Sequence, residues 1–134
     1  MKVLQPAGWT APKGYANGVA AQGLQVYVAG QIGWNAQCAF DSDDLVAQVR
    51  QALLNVRAVL AEAGASPQHI TRMTWYLVDK REYLKRAREI GAVFRELIGV
   101  YSIAMTAVQV AALIEDRAQV EIEVTAVVPA DSSN

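Results

Sequence analysis

The segment AMTAVQ, Ala104 to Gln109, alternates like a strand. Ala104, Thr106 and Val108 fall on one face, and Met105, Ala107 and Gln109 on the other. A methionine thioether is a weak acceptor with no donor, so Met105 can pack against apolar groups or line a pocket but cannot hold an anion. In the closing segment VEIEVTAVV, Glu121 and Glu123 share a face, where acids are solvated, paired across the sheet with Arg72, or turned to a ligand. The glycines of GQIG, Gly30 and Gly33, allow another group to approach the backbone closely. Cys38 has no histidine near it in sequence, which fits a plain loop thiol. His69, the only histidine, sits in SPQHI and reads as a surface residue. The sequence contains no His/Cys/Asp spacing suited to a metal, no serine with triad partners and no phosphate loop.

The elements that must position these residues are legible from periodicity. Two β-type runs, Tyr15 to Ala21 and Leu24 to Ile32, flank Gln22-Gly23 and predict a tight hairpin. Leu45, Val49, Leu53, Val56 and Leu60 then recur at helical spacing behind the acidic start DSDD, and Gly64 supplies a stop. Ser66-Pro67 opens a short turn before the strand ITRMTWYLV, in which Arg72, Thr74 and Tyr76 oppose Met73, Trp75 and Leu77. A second helix is predicted from Asp79 to Leu97, with Tyr83, Ala87, Ile90, Phe94 and Leu97 as its stripe. The order β-β-α-β-α-β-β gives an α/β fold with one mixed sheet and two helices on one face. The uncovered face is then read as Arg72, Thr74, Tyr76, Met105, Ala107, Gln109, Glu121 and Glu123, too apolar for water and too polar for a dry core. Packing against other subunits resolves that conflict.

Composition sets the outer bounds. The chain has 134 residues, 53% hydrophobic and 19% charged, which suits one domain that hides some surface in an oligomer. We place the core at 14–127, an N-terminal arm at 1–13 and a frayed tail at 129–134. The net charge of -1, without a basic patch, argues against nucleic acid. The single cysteine permits no intrachain disulfide, and no apolar run has the length of a signal peptide or membrane span. A cytoplasmic location is expected.

The segments VYVAGQIG, QVRQALLNVRAVLAEAGAS, ITRMTWYLVD, AVQVAAL and VEIEVTAV together resemble, in order and spacing from Gly14 to Val127, the Rid (reactive intermediate deaminase, or YjgF) family. The resemblance implies a chorismate-mutase-like fold, a homotrimer with ligand sites between subunits, no cofactor or metal, and hydrolysis of small enamines and imines to keto acids and ammonia. It further implies that Tyr15 lines the pocket and that the Gly30 amide meets the ligand carboxylate beside Ala29, where relatives carry serine. Ala107 stands where cysteine is frequent, and Glu121 where a glutamate positions or activates water. The family's active members carry an arginine in an Ala-Arg-Ser segment, which here reads Ala104-Met105-Thr106. That arginine grips a carboxylate through two charge-assisted hydrogen bonds, so its loss removes the anion clamp. The candidate site is therefore Tyr15, Ala29, Gly30, Met105, Thr106 and Ala107 as binding residues, with Glu121 as the catalytic group.

Two functions follow, of different class. One is an enzyme acting on a small imine or enamine anchored other than by an arginine at 105. The other is a non-catalytic trimer that binds a metabolite or a protein, with Met105 as interface packing. A ribonuclease reading, carried by older names in the family, has no basic charge behind it.

Overall fold

The computed structural model describes residues 1–130. Within them the elements run β1 (Lys2–Leu4), β2 (Gly18–Ala20), β3 (Leu24–Ile32), α1 (Leu45–Glu62), a 3₁₀ turn (Pro67–His69), β4 (Ile70–Leu77), α2 (Lys80–Lys85), α3 (Ala87–Leu97), β5 (Ala104–Gln109) and β6 (Val120–Val128). The tail expected to fray lies, from Asp131 onward, outside the described residues.

The main sheet has four strands in the order β3-β6-β4-β5. Only the β4–β5 pair is parallel, so the sheet is mixed as predicted. α1 begins where Asp44 accepts from the Ala47 amide at 3.0 Å. It buries Leu45, Val49, Leu53, Val56 and Leu60 over β3 and β6. At about 2 kcal/mol for each large aliphatic side chain removed from water, this stripe is a principal source of stability. Met73, Trp75 and Leu77 of β4 and Val120, Ile122 and Val124 of β6 complete the same core.

Two local expectations are corrected. The hairpin across Gln22-Gly23 does not form: β2 pairs with β1, in the arm, as a separate two-stranded sheet. Gly23 (φ 151°) instead lets the chain enter β3 against the end of β6, where a side chain would strike the Val128 carbonyl. The second helix is two, broken at Arg86 (φ −99°, ψ 15°). The break is pinned by charge. The Arg86 guanidinium reaches Glu89 at 2.8 Å, Asp44 at 2.9 Å and Glu82 at 3.4 Å, tying the helix junction to the start of α1.

Gln48 holds the loop before β6. It is 1% exposed, donates to the carbonyls of Ser42 (3.0 Å) and Arg117 (2.9 Å), and accepts from the Gln119 amide (2.8 Å). Replacing it with leucine keeps the volume and orphans three backbone groups. Gln48→Leu should cost about 2–4 kcal/mol in urea unfolding, since each unsatisfied buried group costs about 1–3. A loss below about 0.5 kcal/mol, the range of an ordinary surface change, would contradict this role.

Arg86 also sets the acid limb of stability. Hydrogen bonding to it holds the carboxyls of Asp44 and Glu89 below their ordinary range. Depressed carboxyl pKa values contribute stability that is complete above the unfolded values and is lost as pH falls through the folded ones. Stability measured from about pH 5 to about pH 2 should therefore fall less steeply in Arg86→Met than in the wild type.

Candidate functional site

Strand register decides which residues can meet. In the parallel pair, Met105 lies opposite Met73, Ala107 opposite Trp75 and Gln109 opposite Leu77. All three thus stand on the helix side of the sheet. Thr106 and Val108, opposite Thr74 and Tyr76, stand on the open side with Glu121 and Glu123. This inverts the face assigned to β5 from sequence, because the alternation of AMTAVQ defines two faces without saying which one the helices cover. Gln109 has a structural task there: its side-chain oxygen accepts the Lys80 amide at 2.8 Å, capping α2.

The candidate residues divide into two groups. On the helix side, the Ala16 amide donates to the Ile103 carbonyl at 2.8 Å, which lays Tyr15 beside the start of β5. Tyr15 and Met105 there line a pocket of about 560 Å³ together with Trp75, Tyr83 and Phe94. Burial raises the Tyr83 hydroxyl above its ordinary pKa, so it stays protonated and offers a donor rather than a base. Trp75 is 2% exposed and packs edge-on to Tyr83, at 6.2 Å between centroids, with its indole N–H unpartnered among the described residues.

On the open side, β3 bulges. Val28 opposes Val124 and Gln31 opposes Ile122, so Ala29 and Gly30 together face Glu123 alone. Gly30 lies against Glu121: a Cβ there would come within 2.7 Å of the carboxyl carbon. Glu121 opposes Tyr76, not Arg72, whose partner on β6 is Thr125. Among the described residues Arg72 makes no ion pair, so the pairing of Arg72 with the strand acids is not formed. Arg117 is bound to Asp43 at 2.9 Å and lies over the Phe40 ring, apart from both groups. His69 accepts the Ser66 amide at 3.0 Å and caps its own turn.

Sequence reading assigned Tyr83 and Phe94 to core packing and passed over their part in the pocket. The available signal was Ala87 and Gly91, small residues one turn apart on the same helix face, which leave the wall beside Phe94 unfilled.

Residues 8–128 match a family model described as Endoribonuclease L-PSP. A RutC family protein of Synechocystis is 33% identical over 132 residues, covering 96% of this chain and 98% of the relative. The chain belongs to the Rid/YjgF family. Within the Rid family, a 2-iminobutanoate/2-iminopropanoate deaminase of Salmonella typhimurium is 32% identical over 113 residues, covering 84% of this chain and 86% of the relative. Among solved structures, the Rid protein YyfB of Yersinia pestis has 29% identity and a TM-score of 0.82, over 95% of this chain and 98% of that one. TdcF of E. coli, solved with bound serine, has 29% identity and a TM-score of 0.68, over 96% and 99%. The Rid fold is the chorismate-mutase-like arrangement read from the sequence, and Rid proteins deaminate reactive imine intermediates.

The Gly30–Glu121 contact is directly testable. Gly30→Ala should cost about 1–3 kcal/mol through overpacking. Glu121→Ala alone should be nearly neutral, and the double mutant should recover most of the loss. Purely additive costs would show that the carboxylate is not held against Gly30.

Proposed function

We propose that this protein hydrolyses a small reactive imine or enamine, at sites completed between subunits of a homotrimer. The observation that carries this reading is the division of the candidate residues across the sheet. Tyr15 and Met105 border a pocket on the helix side, whereas Gly30 and Glu121 meet on the open side. One chain cannot bring both groups to one ligand; two chains can. Val108 and Tyr27 are 41% and 70% exposed, apolar surface that a subunit boundary would cover.

In the proposed reaction, Glu121 takes a proton from water while the water oxygen adds to the imine carbon. The imine nitrogen takes a proton from solvent to give the carbinolamine. Glu121 then returns its proton to that nitrogen as the C–N bond breaks and the carbinol hydroxyl loses its proton to solvent, so a carbonyl compound and ammonia leave. The backbone at Ala29–Gly30 borders the reacting carbon's substituents, and Thr106 and Ala107 continue the two walls of β5. Where the resemblance places the clamping arginine, Met105 offers no donor.

The absent clamp predicts poor turnover of the smallest 2-imino acids. Ammonia release from 2-iminopropionate, generated in place by an amino-acid oxidase, should be no more than marginally faster than in buffer. Met105→Arg should raise it at least about tenfold, since one charge-assisted hydrogen bond is worth about 1.5–3 kcal/mol. Fast wild-type turnover of 2-iminopropionate would refute this account of Met105. Light scattering of the same sample should give a mass near three chains; a stable monomer would remove the composite site. A screen of larger imines that finds binding without ammonia release would instead favour the non-catalytic trimer, which the mostly apolar pocket also suits.

A further inference from the structure

The helix-side pocket contains a cation that neither strand register nor family resemblance assigns. Ala87, Gly91 and Arg95 follow one another at four-residue steps along α3, beside Ile90 and Phe94, and all five border the pocket. Helical side chains lean toward the N-terminus, so Arg95 reaches back over the preceding turn. Its guanidinium lies where a side chain on Gly91 would be, 3.2 Å from the position of a Cβ there. Arg50, Arg86 and Arg117 are bound to carboxylates, whereas Arg95 has no such partner among the described residues. No carboxylate among the described residues lines the pocket either. A planar fork of donors thus stands at the border of a pocket walled by aromatic rings and a thioether, with no carboxylate partner among the described residues.

We propose that Arg95 is the anion-binding residue of this pocket, and that its ligand is a monocarboxylate with a large apolar or aromatic body. The carboxylate meets the guanidinium at α3, and the body lies along Trp75, Tyr83, Phe94 and Met105. The anchor has moved from strand to helix. A volume of about 560 Å³ exceeds what a three-carbon acid fills and lies within the range of pockets that take drug-sized ligands. Met105 then has a positive role, as apolar wall for a longer substrate, and the poor turnover of 2-iminopropionate follows from its lack of reach. This inference deepens the proposed imine reaction, because it rests on the same pocket being the ligand site.

The test is binding, separate from turnover. Phenylpyruvate, the keto acid that an aromatic imine of this class would yield, is titrated calorimetrically beside pyruvate and neutral phenylacetamide. Wild type should bind phenylpyruvate at least about tenfold more tightly than pyruvate. Arg95→Gln, an exposed substitution, should weaken phenylpyruvate about tenfold or more, the worth of one charge-assisted hydrogen bond, and leave phenylacetamide unchanged. Gly91→Val should weaken phenylpyruvate too, by displacing the guanidinium without removing it. Met105→Trp should block both aromatic probes by filling the pocket. If Met105→Trp abolishes phenylpyruvate binding but Arg95→Gln does not alter it, the pocket stands and Arg95 is not its anchor. Failure of the wild type to bind phenylpyruvate also overturns the inference, while ammonia release from other imines still decides the reaction.

Discussion

The pairing of β4 with β5 is the constraint on which the site depends. It is the one parallel ladder in the sheet, and it places Met105 in the same row as Met73, Val124 and Val28. That row faces the helices, so whatever stands at position 105 belongs to the helix-side pocket. The next row, Thr106, Thr74 and Glu123, faces the other way and ends opposite the bulge at Ala29–Gly30. Exchanging the rows would take a one-residue slip of β5 against β4, turning Met105 to the open side and Thr106 toward the helices.

Helix α1 and strand β4 were plain in the sequence because their signals are redundant. Their apolar residues recur at unmistakable spacing, α1 opens on an acidic cap, and burial follows the pattern apart from the buried Gln48 and Thr74. β5 lacked that redundancy. Met105, Ala107 and Gln109 are scarcely more apolar than Ala104, Thr106 and Val108, so nothing local ranks the two faces, and only the partner strands do. The hairpin failed for a related reason: Gln22-Gly23 has turn chemistry, but β2 found its ladder in Lys2–Leu4, which reads as an unpatterned arm. The split of the second helix was hidden because Arg86 is an ordinary helix former, and its three carboxylates come partly from Asp44, far away in sequence.

The candidate residues could be named from the sequence, but their arrangement could not. Tyr15, Gly30, Met105 and Glu121 could all be named from the chain, but their division between opposite faces arises from register alone. Arg95 is the converse case. Nothing about an arginine on a helix marks it out until Gly91 beneath it and the aromatic wall beside it are seen together. Arg117 is committed to Asp43, and Arg72 lies opposite Thr125 on the open side.

The bulge in β3 has a consequence for how such a chain can vary. Ala29 and Gly30 share one partner residue, so the strand holds one residue more than its neighbour over that stretch. Deleting either one would leave Gln31 opposite Ile122 and Ile32 opposite Glu121, so the ladder would close up with the core rows in place. The bulge can therefore be lost without disturbing the helix-side core, and the change is felt on the open side alone, where Gly30 meets Glu121.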